Sequence, residues 1–291
     1  MKNEIVKDFT KEDLPKTRFE RIRMIFKYRK RTVILLLLLL FPFIAPSLVW
    51  HVYSRCYLYN EIPEPAQSFL YAVLRDYPQL FLTFLAGVGL SGAFYVARRM
   101  MFSQPLKLTY HFFKGIKQSG FEFGLFMSIY TLFLMIIDIF YSLSFVSYHA
   151  GKMNIFILIP LCLLFFAIVF ILIASLPFVL SSASLYVVSI PKAFKDGFSS
   201  LFASMKKNFF KITLLISPLF LLIPEFTVIT IYTSYIGAIS LALFYVLFMV
   251  FMISSLAYVE FDESINKINY PEFYRAGLYT KEEVKVLETK A

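Results

Sequence analysis

The chain has 291 residues, of which 59% are hydrophobic and only 16% are charged, and its net charge is +10. A soluble domain is typically about 45–50% apolar and about 25% charged. In water, 35 Phe and 19 Tyr would leave large apolar patches exposed. The composition therefore excludes a soluble globular enzyme and indicates that lipid surrounds most of the chain.

Six apolar stretches follow one another along the chain, and each has the roughly 20 residues that a helix needs to cross a bilayer. They cover residues 32–54, 77–97, 121–146, 155–188, 209–231 and 236–259. The sequence therefore predicts an all-α fold, a polytopic membrane bundle of six transmembrane helices over 32–259. A basic amphipathic arm, 1–31, precedes the bundle, and a tail of mixed charge, 260–291, follows it.

The basic residues predict the orientation of the bundle. All but three of the 29 Lys and Arg lie in the arm, in the second and fourth loops or in the tail; the exceptions are Arg55, Arg75 and Lys152. Loops rich in Lys and Arg stay in the cytoplasm, so both termini are expected there. The net charge thus predicts an orientation and gives no indication of a nucleic-acid partner.

The arm is expected to form an amphipathic helix. Thr17 and Glu20 have the spacing of an N-terminal capping box, and Phe19, Ile22 and Phe26 follow at helical spacing. Such a helix can lie on the anionic lipids of the cytoplasmic leaflet as a plain anchor, or it can dock a partner protein. The candidate docking residues on the arm and the cytoplasmic loops are Arg21, Arg23, Lys27, Lys114, Lys117, Lys206 and Lys207.

The second span carries a stripe of small residues at helical spacing. Ala86, Gly89, Ala93 and Ala97 form this stripe, and small residues allow close helix contact in a membrane. The overlapping G-x-G-x-x-G pattern of 87–92 has no preceding strand, which a nucleotide-binding loop requires. We therefore interpret these glycines as helix-packing residues.

Two cytoplasmic loops share a short pattern in which a Lys lies four residues from a Phe on either side. The first copy covers 113–121 and the second covers 202–210, and each leads into a span. One interpretation is a duplicated helical unit, as in some transporters. The other is that amphipathic loop helices produce the match by chance.

Two acidic residues fall in or beside apolar stretches. Asp138 lies deep in the third stretch, and Glu225 follows Pro224 in the fifth. A charged carboxylate costs about 2.5–3.5 kcal/mol at the centre of a membrane helix on insertion scales, so intramembrane acids are candidates for an ion or substrate site. The alternative is structural: a protonated Asp138 bonded to a hydroxyl group and an interfacial Glu225 at a helix break.

No catalytic or metal-binding motif is present in the sequence. His51, His111 and His149 lack metal-ligand spacing, and Cys56 and Cys162 are expected to be packing residues. Neither a phosphate-binding loop nor a nucleophile elbow occurs. We therefore expect neither an enzyme nor a cofactor.

Four short motifs resemble the YesL-like family of bacterial membrane proteins of unknown function. They are Gly92-Ala-Phe-Tyr-Val-Ala-Arg98-Arg99, His111-Phe-Phe-Lys-Gly-Ile-Lys117, Ser189-Ile-Pro-Lys-Ala-Phe-Lys-Asp-Gly197 and Lys206-Lys-Asn-Phe-Phe210. The resemblance covers roughly residues 30–260 and excludes the arm and the tail. It implies a location in the plasma membrane of Gram-positive bacteria and an accessory role in sugar uptake.

Two functions follow as hypotheses. The first is a non-catalytic accessory subunit of a carbohydrate ABC importer, which docks or regulates the permease subunits through its basic cytoplasmic face. The second is an autonomous secondary transporter or channel that uses Asp138 and Glu225. A weaker third hypothesis is a membrane scaffold without a ligand.

Overall fold

The computed structural model of the chain describes residues 14–56, 65–186, 189–220, 245–280 and 282–283. Within these ranges the chain forms helices joined by turns, and no strand occurs among them. The predicted all-α class is confirmed. The long helices are α1 (Arg18–Tyr28), α2 (Lys30–Cys56), α3 (Pro65–Met101), α4 (Leu108–His149), α5 (Ile155–Leu185), α6 (Ile190–Phe220) and α7 (Val246–Phe261).

Four of these helices are long and apolar enough to cross a membrane. The apolar segments are Lys30–His51, Tyr77–Met101, Leu108–His149 and Ile155–Leu185, and they coincide with the first four predicted spans. The fifth and sixth predicted spans extend over residues 221–244, which lie outside the described residues. Six spans and cytoplasmic termini therefore stay predictions.

Glycines bring α3 and α4 into close contact along the hairpin that they form. A Cβ atom on Gly87 would lie 2.5 Å from the carbonyl oxygen of Phe123, and one on Gly92 would lie 2.8 Å from that of Phe112. Gly89 faces α2 instead, where a Cβ would overlap the Cβ of Phe43. The G-x-G-x-x-G pattern thus lies inside a helix that packs on both neighbours.

The other small residues of the predicted packing stripe also lie inside the bundle. Ala93 and Ala97 of α3 have no exposed surface, and Ala86 is buried as well. Because these side chains add little bulk, the backbone of α3 can approach its neighbours closely, which favours van der Waals contact where lipid supplies no hydrophobic driving force.

Helix α5 passes through two different environments. Over residues 155–168 most of its side chains are exposed, with Phe156 at 81% and Leu163 at 65%. Over 174–185 all but two of its side chains are buried, and four of the buried ones are serines. The first half is therefore suited to contact lipid, whereas the second half lies in a packed protein core.

That packed core lies at the end of the bundle where α3, α5 and α7 finish, which we call the junction. A π-helical turn, Asp262–Asn266, and a short helix, α8 (Lys267–Asn269), continue α7 there. The arm helix α1 packs against α7, α3 and α2. The described parts of the arm and the tail, residues 14–31 and 260–280, thus pack against the bundle.

Candidate functional site

Arg18 of the arm lies at the centre of the junction and is almost completely buried. Its Nη2 atom donates a hydrogen bond to Asp262 Oδ2 at 2.8 Å, and its Nη1 atom donates to the carbonyl oxygen of Ala276 at 2.6 Å. The guanidinium carbon lies 4.9 Å from the ring centroid of Phe102. One side chain therefore joins the arm to the turn after α7, to the tail and to the end of α3.

Asp262 extends this contact into a chain of buried polar side chains. Asn266 Nδ2 donates to Asp262 Oδ1 at 2.9 Å, and the Tyr186 hydroxyl donates to Asn266 Oδ1 at 2.6 Å. The π-helical turn carries Asp262 and Asn266 together, and Tyr186 caps the end of α5. Buried polar groups of this kind hold one arrangement because an unmade bond would be costly.

Two further arginines tie helix ends together at the junction. Arg21 is buried, and its Nε and Nη2 atoms donate to the carbonyl oxygen of Met100 at 3.0 and 2.7 Å. Arg98 donates to the carbonyl oxygen of Ser184, whose hydroxyl lies 3.2 Å from that of Tyr258. A cation at a helix C-terminus also complements the helix dipole.

The tail closes over the end of α3 and meets the segment before α1. The rings of Phe273 and Phe102 stack at 6.1 Å. Gly277 has φ +76°, and a Cβ there would lie 2.7 Å from the carbonyl oxygen of Met101, so this position requires glycine for both conformation and space. The Tyr279 N–H donates to the carbonyl oxygen of Pro15 at 3.2 Å.

Arg21, one of the predicted docking residues, lies inside the junction. Its side chain has no exposed surface and holds the end of α3. Arg18 and Arg29 are buried in the same way. The polar face predicted for the arm is therefore divided, because these three arginines lie on the same helical stripe as the buried Ile22 and Ile25.

The remaining candidate docking residues differ in exposure. The side chains of Arg23, Lys27, Lys117 and Lys206 are exposed. Lys207 is 69% exposed, and its Nζ atom lies 3.4 Å from Glu260 Oε1.

Lys114 differs from this exposed set. It is half-buried, with its Nζ atom 5.9 Å from the ring centroid of Tyr110. It lies near the start of α4 and is less exposed than Lys117 and Lys206.

The two loop segments that share the Phe and Lys pattern are both helical and both exposed. Phe113, Lys117 and Phe121 follow one side of α4. The second copy lies on α6, which bends at Asn208 with φ −131° and ψ 27°, and its Phe210 is 85% exposed. The likeness therefore extends to exposure, although α4 is continuous where α6 is bent.

Of the two acids predicted to lie in or beside membrane spans, the structure describes only Asp138. Asp138 lies half-buried within α4, whereas Glu225 lies outside the described residues. No group of three His, Cys, Asp or Glu among the described residues could hold a metal ion. Cys162 is a half-buried free thiol on α5.

Sequence reasoning missed Asp262, Asn266 and Tyr186 as a unit. The signal that could have found part of it is the spacing of the arm: Arg18, Arg21, Ile22 and Ile25 occupy one helical face. An arginine on the apolar face of a helix becomes buried when that face packs, so its guanidinium group needs a buried hydrogen-bond acceptor. The sequence offers no signal that the acceptor is Asp262, 244 residues away.

A comparison with protein-family models, with curated proteins and with solved structures finds no match to the chain. The resemblance to the YesL-like family stays a prediction that depends on the four motifs.

Proposed function

We propose that the protein is a non-catalytic integral membrane accessory subunit of a carbohydrate ABC importer. In this proposal the junction end faces the cytoplasm and docks permease subunits of the importer. The importer itself comes from the resemblance to the YesL-like family. The docking mode comes from the surface of α4 and α6.

The observation that carries the docking mode is a pair of exposed surfaces that combine lysine with aromatic rings. On α4 the exposed residues are Phe113, Lys117 and Phe121; on α6 they are Phe202, Lys206 and Phe210. Aromatic side chains are enriched at protein interfaces, and surface cations speed encounter with an acidic partner. These surfaces therefore fit a partner that is both apolar and acidic.

The junction gives these surfaces a fixed support. The buried contacts of Arg18 and Arg21 join the arm to the ends of α3 and α7, and α4 and α6 pack against these two helices. Because the elements are joined in this way, docking would cost little ordering of the subunit itself.

Co-purification from native membranes tests this function. ABC permease subunits, identified by mass spectrometry, should be recovered with the tagged wild-type chain. The variant Lys206→Glu should reduce that recovery several-fold because it reverses a charge on the docking surface. The matched variant Lys152→Glu changes an exposed lysine in a predicted loop on the opposite side and should leave recovery unchanged.

Two results would overturn the proposal. One is recovery of the chain as an isolated species without permease subunits. The other is equal loss of recovery in both variants, since the docking surface would then have no special part.

A further inference from the structure

The turn between α3 and α4 carries a cluster of cations that the docking surface does not use. Arg99 ends α3, Lys107 precedes the first turn of α4, and His111 and Lys114 follow on α4. We propose that this turn binds the phosphate of an anionic phospholipid headgroup. This inference does not depend on the proposed function.

His111 is the built part of the site. It is only 8% exposed, and its Nδ1 atom accepts the Lys107 backbone N–H at 2.8 Å. This bond leaves the hydrogen of the neutral ring on Nε2. Among the described residues Nε2 has no hydrogen-bond acceptor, so this N–H is open to an acceptor from outside the chain.

The ring of His111 is held in place from two sides. Its centroid lies 6.2 Å from that of Tyr95 in a stacked arrangement and 5.1 Å from that of Tyr110 in an edge arrangement. The donor is therefore fixed in direction, which lowers the ordering cost of binding.

Three cations, Arg99, Lys107 and Lys114, lie close enough to act electrostatically on the His111 ring. Arg99 also holds the turn, because its Nε and Nη2 atoms donate to the carbonyl oxygen of Pro105 at 3.0 and 2.7 Å. No Asp or Glu occurs in residues 98–117, so this stretch of the chain is positively charged. An anion would supply the missing charge.

The start of α4 adds a second attraction for an anion. Lys107 caps this helix without a side-chain hydrogen bond. The first N–H groups of a helix lack partners within it and carry the positive end of the helix dipole. Phosphate groups bind at such helix ends.

The surroundings favour a lipid over a soluble phosphate. Tyr110 is 61% exposed and Phe113 is 52% exposed, so apolar surface lies directly beside the cations. Basic pockets next to membrane helices recognise anionic headgroups. The glycerol and acyl chains would pack on these rings while the phosphate meets His111, Lys107 and Lys114.

Lipid titration of the purified full-length chain in detergent tests the site, with the shift of the thermal denaturation midpoint as the signal. Phosphatidylglycerol should raise the midpoint of the wild type, whereas phosphatidylcholine and inorganic phosphate should not. The double variant Lys107→Gln/Lys114→Gln should weaken the apparent affinity for phosphatidylglycerol roughly tenfold or more.

The matched control is Lys192→Gln/Lys195→Gln, which removes the same number of positive charges from two exposed lysines. These lysines lie beside an acid: burial raises the pKa of Asp196, and the two lysines oppose that rise. Because their charge is compensated locally, this control should keep the wild-type affinity. The variant His111→Asn retains an acceptor for the Lys107 N–H and removes the Nε2 donor, so it should also weaken binding.

Three results would overturn the proposal. Equal stabilisation by inorganic phosphate would make the ligand a soluble anion. Equal stabilisation by phosphatidylcholine would show that the charge of the headgroup plays no part. Equally weakened binding of phosphatidylglycerol in both double variants would show that only the net charge of the protein matters. If Lys107→Gln/Lys114→Gln folds poorly, the affinity of the His111→Asn variant for phosphatidylglycerol tests the proposal instead, and wild-type affinity in that variant would contradict it.

Discussion

Helices α1 and α6 both carry cations that reach acids near the end of α7, and the two contacts differ in kind. Arg18 meets Asp262 at 2.8 Å, with the two side chains 1% and 7% exposed. Lys207 meets Glu260 at 3.4 Å, with the Lys207 side chain 69% exposed and the Glu260 side chain only 9% exposed. The two acids are only two residues apart in the sequence, so burial and geometry make the difference.

The physical reason lies in the solvent around each pair. Water screens Lys207 and would hydrate it equally well without Glu260, so such pairs contribute about 0–1 kcal/mol. Arg18 has lost its water, and loss of its partner would leave a buried charge without compensation. The cations of this chain therefore fall into two groups, one that holds the structure and one that faces outward.

The largest expected effect comes from breaking the buried pair. The substitution Arg18→Met leaves Asp262 buried without its cation, and this should reduce the free energy of unfolding by about 3–5 kcal/mol. Titration of the purified chain with a denaturing detergent, followed by circular dichroism, measures the change.

The control for this prediction is Arg23→Met on the same helix. Arg23 is exposed, so its loss should change the free energy of unfolding by less than about 0.5 kcal/mol. Equal destabilisation by the two substitutions would show that the distinction between buried and exposed arginines on α1 is wrong.

Two glycines of the α3–α4 hairpin also differ in burial against their neighbours, and the expected loss of stability is intermediate. The substitution Gly87→Ala places a Cβ against the backbone of Phe123 and Gly124, which cannot move without shifting α4. We expect a loss of about 1–3 kcal/mol in the same titration.

The matched control within this hairpin is Gly120→Ala. A Cβ there would lie 3.4 Å from its nearest neighbours, the side chains of Ile116 and Val88. Since alanine favours a helix over glycine by about 1 kcal/mol, this variant should be neutral or more stable. If Gly120→Ala lowered the free energy of unfolding as much as Gly87→Ala does, close backbone contact at Gly87 would not be the cause of the loss.

The smallest effect should come from the exposed pair. The substitution Lys207→Ala should lower the free energy of unfolding by less than about 1 kcal/mol, because the Lys207 side chain is mostly hydrated. High salt should abolish even that difference, since it screens exposed charges. A loss above about 2 kcal/mol that persists in high salt would place this pair with Arg18 and Asp262.

Local patterns predicted a large part of the fold. Four of the six apolar stretches correspond to helices long enough to span a membrane. The capping spacing at Thr17 is also confirmed, because the Glu20 N–H donates to Thr17 Oγ1 at 3.2 Å. Such features depend on neighbours within a few residues, so the sequence contains all the information that they need.

The candidate sites were predictable only in part. The exposure of Lys117 and Lys206 follows from polar positions on amphipathic helices. The burial of Arg21 does not, because its acceptor is the carbonyl oxygen of Met100 on another helix. The phosphate site depends on the direction of His111 Nε2, which rotamer and packing set and the sequence does not display.

The sequence by itself determined the helical character of this protein and the apolar segments that are long enough to span a membrane. Composition is a property of the whole chain, and helix formation depends on residues within a few turns of one another. Neither feature depends on a contact between residues that are distant in the sequence. Tertiary structure alone decided which arginines are buried and which acid each one meets. That choice depends on contacts such as Arg18 with Asp262 and Tyr186 with Asn266, which exist only after the arm and the tail have packed against the bundle.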